Sequence, residues 1–167
     1  LPDFDLNISQ AFFNTSFFTS DPENIDHLFR SLFSTTAQEV DSFIINDVRN
    51  LLFSADGVNA TTCLDLFALN IQRGRDHQIP PYNDVREALG LHRKETFYDI
   101  NPDLVEAFEN AYNSVDDVEL WIGAISEDHE PGSSFGETLI TSFVEQFTRL
   151  RDGDPFFFSG DALLSHP

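Results

Sequence analysis

The sequence has no methionine and only one cysteine, one tryptophan and one lysine among its 167 residues. Because Cys63 stands alone, an intrachain disulfide is excluded. No run approaches the roughly 20 apolar residues that a bilayer crossing requires, so a membrane span is also excluded. The chain starts without methionine or an apolar leader, which predicts that Leu1 is a cut edge rather than a translation start or signal peptide.

Positive charge is scarce as well. Nine lysine and arginine residues face 29 aspartate and glutamate residues, and the formal net charge is -20. A surface this acidic repels phosphate groups, so partners such as nucleic acid or an anionic membrane are excluded. Most of the positive charge is on arginine, the side chain preferred where a planar carboxylate is gripped.

Several common catalytic and metal-binding motifs are missing. The five histidines show neither zinc-like spacing nor an HExxH pattern, and we therefore predict no metal site formed by this chain alone. A Gly-x-Ser-x-Gly elbow, a phosphate-binding glycine loop and a dinucleotide fingerprint are also lacking. The usual hydrolase, kinase and dehydrogenase interpretations therefore have no support in the sequence.

The apolar residues that are present follow a helical period almost throughout. Start and stop signals predict helices after Asp21–Pro22, from Thr36 to Leu52, from Leu64 to about Arg73, from Asn83 to Gly90, after Asn101–Pro102, and from Phe135 to Asp152–Gly153, with a short apolar piece at 118–122. No strand-like alternation, repeat or linker interrupts them. The sequence thus predicts a mainly α fold in one domain over residues 1–167, with most of its 18 phenylalanines in packing roles.

The third predicted helix carries the most informative face. Leu66, Asn70 and Arg73 fall at i, i+4 and i+7 with Leu69 beside them, so apolar, amide and guanidinium groups share one side. This face could meet a ligand or a partner. The spacing leaves open two plainer interpretations, in which Asn70 bonds to a neighbouring loop and Arg73 forms a surface ion pair.

One long stretch resembles the animal haem peroxidases of the peroxidase-cyclooxygenase superfamily, in the branch of peroxinectin and myeloperoxidase. The similar segments are LDLFALNIQRGRDH (64–77), REALGL (86–91), LWIG (120–123), EDH (127–129), GET (136–138), QFTRLRDGDPFF (146–157), AFFN (11–14) and AQEVD (37–41). The resemblance implies a part of that family's helical domain, without its N-terminal distal half and its final C-terminal helices.

The resemblance also implies roles for individual residues. Asn70 matches the family's asparagine that hydrogen-bonds the proximal histidine, and Arg73 matches the arginine that pairs with a haem propionate. Phe53, Leu66 and Leu69 match apolar positions close to the haem. The implied cofactor is haem b, bound only together with the missing N-terminal portion, and the resemblance allows a calcium ion in that portion.

This sequence departs from the family pattern in what it does not contain. The family's distal histidine or glutamine, catalytic arginine and proximal histidine all belong upstream of the position that Leu1 matches. None of the chain's five histidines lies in the proximal motif, and Gln78 replaces a glycine that is common there. By itself the chain is therefore expected to have no peroxidase activity.

Three functions follow as hypotheses, of which one, a dioxygenase or cyclooxygenase relative that uses a tyrosyl radical, is disfavoured because the run QRGRDH (72–77) looks more like the peroxidase branch. In the first, the chain is part of a haem peroxidase that reduces hydrogen peroxide while oxidising halide or small organic donors, and its partner is the N-terminal portion or a companion chain. In the second, it is a catalytically inactive interaction or adhesion module with the same fold. Three Asn-x-Ser/Thr sequons, at Asn7, Asn14 and Asn59, together with the family's habit, predict a secreted glycoprotein.

Overall fold

The computed structural model describes residues 14–50 and 65–158. Contacts divide the chain into two units. One comprises 1–39 with 43–73, and the other comprises 40–42 with 74–167. Helices are the regular elements of the described residues, with one isolated antiparallel bridge between Pro81 and Glu119. The prediction of a mainly α fold is confirmed.

The described residues of the first unit, 14–39, 43–50 and 65–73, form three helices and most of a fourth. These are α1 (Thr15–Thr19), α2 (Glu23–Ser34), α3 (Asn46–Asn50) and α4 (Leu66–Asp76), whose last residues belong to the second unit. Asp21 Oδ1 accepts a hydrogen bond of 3.0 Å from the Glu23 amide, as expected of a residue at a helix start. The predicted apolar stripe of α2 forms, and its side chains are exposed or partly exposed.

The prediction of a helix from Thr36 to Leu52 is wrong for much of that segment. Residues 36–45 are not helical, and within the described residues only α3 remains of it. Asp41 and Ser42 lie within this segment, and short polar side chains of this kind compete with helical backbone hydrogen bonds. Leu51 and Leu52 lie outside the described residues, as does the predicted turn at 57–62.

As far as residue 158, where the description of the second unit ends, five complete helices follow: α5 (Tyr82–Ala88), α6 (Phe97–Ile100), α7 (Val105–Ala111), α8 (Leu120–Ser126) and α9 (Glu137–Gly153), with 3-10 turns at Pro102–Leu104 and Val115–Asp117. Its core consists of Tyr82, Ile100, Phe108 and Val118, surrounded by Phe97, Leu104, Tyr112, Val115 and Ile122. The predicted starts near Asn101 and Phe135 are confirmed to within a few residues. The short helix α6 was not predicted; a reciprocal capping box between Thr96 and Asp99 defines its start.

Asn83 does not cap α5 as predicted. The helix begins one residue earlier, and Asn83 is buried within it. Its amide donates to the Lys94 carbonyl at 2.9 Å and to Asp116 at 2.7 Å, and its Oδ1 accepts from the Lys94 amide at 2.9 Å. Asn83 therefore ties the helix to a loop and to the 3-10 turn near Asp116 instead.

The phenylalanines divide between packed and exposed positions. Phe108 is buried in the core, whereas Phe33, Phe147 and Phe156 are largely exposed. The prediction that most phenylalanines pack in a core is thus met by Phe108, in the core of the second unit. Among the described residues, none of the helices combines the length and apolar character that crossing a membrane demands.

Candidate functional site

Helix α4 presents the face that the sequence singled out. Asp65 precedes the helix, and its Oδ1 accepts hydrogen bonds from the amides of Phe67 at 2.9 Å and Ala68 at 3.2 Å. These bonds satisfy amides of the first turn, which otherwise lack helical partners. The helix therefore begins at Leu66 rather than at Leu64 as predicted.

The predicted haem-facing residues lie together on α4. Leu66 is half-buried, Leu69 is 37% exposed, and Asn70 and Arg73 are exposed. The helical period brings these four side chains to one side of the helix, so that apolar, amide and guanidinium groups follow one another along it. Phe53, the remaining predicted contact, lies outside the described residues.

This face fits the edge of a haem in its chemistry. Half-exposed leucines suit the apolar porphyrin ring. The side-chain oxygen of an asparagine can accept a hydrogen bond from an imidazole N–H, and a guanidinium can donate two hydrogen bonds to a propionate. An axial ligand is not supplied by α4. Within residues 14–50 and 65–158, no group of three or more histidine, cysteine or acidic side chains is placed to hold a metal ion.

The C-terminal end of α4 differs from the prediction. Gly74 does not end the helix, which continues to Asp76. The end is formed by two hydrogen bonds, from the Gln78 amide to the Arg75 carbonyl and from the Ile79 amide to the Gly74 carbonyl, both 3.0 Å long. This pattern is a Schellman motif, and Gln78 occupies its left-handed position with φ of 54°.

Helix α5 ends in the same motif with the residue that the motif favours. The amides of Gly90 and Leu91 donate to the carbonyls of Glu87 and Arg86. Gly90 has φ of 79°, a conformation that costs glycine little because it has no Cβ. The predicted stop at Gly90 is confirmed, and Gln78 has the same role at a position that favours glycine.

Arg75 of α4 belongs to a cluster that we call the outer cluster, formed with Glu119 and Tyr112. Arg75 donates from Nε at 2.8 Å and from a terminal nitrogen at 2.5 Å to Glu119 Oε1. The Tyr112 hydroxyl donates to Glu119 Oε2. Burial alone would raise the pKa of Glu119, but hydrogen bonds from Tyr112 and Arg75 outweigh burial and lower it.

A second group, the inner cluster, consists of Arg86, Glu127, Tyr82 and Thr138, and all four are buried. One terminal nitrogen of Arg86 donates to Glu127 Oε1 at 2.7 Å and to the Thr138 hydroxyl at 2.8 Å. Glu127 also accepts from the hydroxyls of Tyr82 and Thr138 at 2.5 Å each, and from the Thr138 amide at 2.8 Å. Burial raises the pKa of Tyr82, as does the hydrogen bond to Glu127.

Two further acceptors complete the surroundings of Arg86. Its Nε donates to the His92 carbonyl at 2.7 Å, and its other terminal nitrogen to Glu137 at 2.6 Å. Every nitrogen of this guanidinium thus has an acceptor, which is the condition under which a buried charge is tolerated.

Two glycines give the inner cluster its space. A Cβ at Gly123 would overlap the ring of Tyr82, and a Cβ at Gly136 would overlap the side chain of Glu127. Glycine is therefore required at position 123 for α8 to lie this close to Tyr82, and at position 136 for the start of α9 to lie this close to Glu127.

Sequence reasoning did not find the inner cluster as a unit. Arg86, Glu127 and Thr138 lie inside the motifs quoted above, but nothing in their local pattern shows that they meet. Arg86 is separated by 41 residues from Glu127 and by 52 from Thr138. The sequence offered one indication, namely that this acidic chain uses arginine in preference to lysine. That preference favours pairing with a planar carboxylate, but it does not identify which carboxylate.

Comparison with known proteins agrees with the helical fold and assigns the sequence to a family. The sequence model of the family "Animal haem peroxidase" matches residues 2–164. Peroxinectin A of Dictyostelium discoideum is 41% identical over 136 residues, which are 80% of this chain and 25% of the relative. The human peroxidasin homolog is 38% identical over 96% of this chain and 11% of its own length.

Solved structures show the same relationship. Peroxidase A from Dictyostelium discoideum superposes with a TM-score of 0.84 at 38% identity, covering 96% of this chain and 30% of that one. The fatty acid alpha-dioxygenase of Oryza sativa matches with a TM-score of 0.55 at 28% identity, over 65% of this chain and 19% of that one. The chain spans at most about a third of the length of these relatives. The family model, in turn, matches nearly the whole of this chain. The chain belongs to the animal haem peroxidase family.

Proposed function

We propose that this chain is the proximal-side portion of a haem-dependent peroxidase. The complete protein reduces hydrogen peroxide and oxidises halide or small organic donors. The observation that carries the proposal is the exposed face of α4, which presents Leu69, Asn70 and Arg73 together. Haem b supplies the redox chemistry when it is bound, and this chain's residues hold and orient it.

Asn70 is proposed to act on the axial ligand indirectly. Its side-chain oxygen accepts the N–H of the proximal histidine, which the N-terminal portion or a companion chain supplies. That hydrogen bond fixes the imidazole tautomer and raises its donor strength. Asn70 thus orients a ligand that this chain does not contain.

Arg73 is proposed to bind a haem propionate. A planar guanidinium can donate two parallel hydrogen bonds to a carboxylate, a geometry that lysine cannot reproduce. Leu66 and Leu69, together with Phe53, are proposed to cover the apolar ring, so that the haem is held by one charged and several apolar contacts.

The proposal extends to location. The complete protein is proposed to be secreted and glycosylated, with Asn14 as one acceptor. Asn14 is exposed beside α1, and its Oδ1 accepts a hydrogen bond of 2.5 Å from the Ser16 hydroxyl of the same sequon. Oligosaccharide transfer requires an accessible asparagine, so exposure supports this assignment.

The test is haem retention and peroxidase turnover of the complete protein, assembled from this chain and its N-terminal portion. We expect Arg73→Gln to weaken haem retention by about tenfold, and Asn70→Ala to lower turnover by about 10–100-fold while haem stays bound. Arg93→Gln is the matched control, because Arg93 is an arginine that already pairs with three carboxylates of its own unit, those of Asp84, Glu87 and Asp116.

The absence of a Soret band from the assembled wild-type protein would contradict the proposal. That outcome would favour the inactive interaction module. Equal effects of Arg73→Gln and Arg93→Gln would remove the assignment of Arg73.

A further inference from the structure

A groove on the surface of the second unit is lined by the start of α6, by α7 and by the residues that follow α7. Its volume is about 440 Å³, and Phe97, Tyr98 and Val105 form its apolar lining. Glu95 and Glu109 belong to the same lining, and we call this feature the acidic groove. All of its residues lie in the second unit, so one compact unit forms the whole groove.

Local sequence signals and the core hold the walls of the acidic groove. Thr96 and Asp99 form the capping box that starts α6, which fixes the first turn of that helix. Val105 and Glu109 are four residues apart on α7, so they lie on the same face of it. Phe97 packs against the core and is only partly exposed. The groove is therefore anchored to the folded body of the unit.

Tyr98 supplies the groove with an aromatic ring that the core does not use. It is 65% exposed, whereas Phe97 beside it packs against the core. The face of an aromatic ring attracts a cation, and a carboxylate attracts the same cation by ion pairing. A ring and carboxylates in one groove therefore favour a positively charged group that is also flat enough to stack.

The two glutamates of the acidic groove lack the ion pairs that neutralise other carboxylates of this unit. Three further glutamates of the unit each bind an arginine, namely Glu119, Glu127 and Glu137. Glu95 and Glu109 are exposed, and neither has a cationic partner within residues 14–50 and 65–158. The sequence contains no lysine or arginine from residue 95 to residue 148. Both carboxylates are therefore open to a cation from another molecule.

Negative charge continues along the chain beyond the groove. Asp99, Asp103 and Glu106 are also exposed, so residues 95–109 present five carboxylates and no basic side chain. Helix α7 alone is about 10 Å long, and one small cation neutralises only part of such a surface. A flexible segment with several basic side chains can follow it, and the opposite charges accelerate the encounter. Charge and extent together favour a polypeptide as the occupant.

We propose that the acidic groove binds an arginine-containing basic segment of another polypeptide. The guanidinium of one arginine stacks on the ring of Tyr98 and donates hydrogen bonds to Glu95 and Glu109. Further basic side chains of the segment pair with the carboxylates along residues 95–109. Arginine suits the groove better than lysine, because its planar guanidinium stacks on a ring and also presents several donors to carboxylates.

This inference goes beyond the proposed function and is independent of it. The groove uses no residue of the α4 face, and binding of the segment requires no haem. Haem retention therefore tests the proposed function, while peptide binding tests the groove.

The experiment measures peptide binding to the full chain by fluorescence anisotropy. The probe is a rhodamine-labelled Gly-Lys-Gly-Arg-Gly-Lys-Gly peptide with blocked ends, in about 0.15 M salt, which screens distant charges. We expect a Kd below about 1 mM, and several-fold weaker binding when lysine replaces the arginine of the probe. No binding of the arginine probe, or equal affinity for both probes, would overturn the proposal. Spermine should displace the probe poorly, and displacement as efficient as by unlabelled peptide would overturn the polypeptide as occupant.

The carboxylates are tested by a pair of double variants with the same change in charge. Glu95→Gln combined with Glu109→Gln should weaken binding of the arginine probe by at least about tenfold. The matched control is Glu23→Gln combined with Glu130→Gln, because both residues are exposed and neither lines the groove. The control should weaken binding by no more than about twofold, since distant charges are screened. Losses of equal size would overturn the groove as the site.

The ring is tested at Tyr98. Tyr98→Ala should weaken binding of the arginine probe several-fold, whereas Tyr98→Phe keeps the ring and should bind like wild type. Tyr98 is largely exposed, so both variants should keep the far-ultraviolet circular dichroism of the wild-type chain. Unchanged affinity in Tyr98→Ala would overturn the stacking contact.

Discussion

The outer and inner clusters of the second unit use the same three residue types and differ in their distance from water. In each, an arginine binds a glutamate whose carboxylate also accepts a tyrosine hydroxyl. Arg86 of the inner cluster has 2% of its side chain exposed, whereas Arg75 of the outer cluster has 60% exposed. The buried arrangement must satisfy every polar atom, while the exposed one can exchange partners with solvent. The same residue types therefore form a fully satisfied buried group in one place and a group open to solvent in the other.

The largest expected effect distinguishes the two arginines. Arg86→Met leaves Glu127 buried without its cation, and we expect the free energy of unfolding to fall by about 3–5 kcal/mol. Arg75→Met removes an ion pair whose arginine is largely open to solvent, and it should lower the free energy of unfolding far less. Urea denaturation of the full chain measures both. Losses of equal size would show that burial does not separate the clusters.

A smaller effect concerns the helices that supply these arginines. Both α4 and α5 end in a Schellman motif, with Gln78 in one and Gly90 in the other. A left-handed conformation costs a residue with a Cβ roughly 1–2 kcal/mol, partly offset by the greater freedom of glycine in the unfolded chain. Gln78→Gly should therefore raise the free energy of unfolding by about 1 kcal/mol.

The reciprocal substitution is the control. Gly90→Gln should lower stability by a similar amount, measured by the same denaturation. A destabilising Gln78→Gly would indicate that the glutamine side chain contributes more than its backbone conformation costs.

The smallest effect is the pH dependence of the outer cluster. Hydrogen bonds from Tyr112 and Arg75 outweigh burial and lower the pKa of Glu119, so folding favours its ionised form. This stabilisation is complete above the unfolded pKa of about 4.3 and is lost as the pH falls through the lower folded pKa. The stability advantage of wild type over Glu119→Gln should therefore shrink between pH 6 and pH 3. We expect it to be no more than about 1 kcal/mol, because Arg75 is well solvated. An advantage that grows in acid would contradict the sign.

Local signals predicted much of the helical outline. Gly90 ends α5 because the left-handed position of its terminal motif favours a residue without Cβ. Asn101 caps the 3-10 turn that begins at Pro102 and leads into α7. The end of α4 was predicted too early, since the hydrogen bonds around Gln78 carry the helix past Gly74. Asn83 has the composition of a cap, yet its partners are Lys94 and Asp116, which lie in later segments. Where the decisive partner is distant in sequence, a local pattern cannot identify it.

The sequence by itself determined the mainly helical class, the acidic character of the chain and its resemblance to a known family. Each of these depends on composition, on the helical period, or on a contiguous motif such as the one that contains Asn70 and Arg73. Only the tertiary structure decided that Arg86 is buried on Glu127 and that Tyr112 donates to the carboxylate held by Arg75. The physical reason is that burial and ion pairing are properties of neighbours in space, and Arg75 and Glu119 are 44 residues apart along the chain.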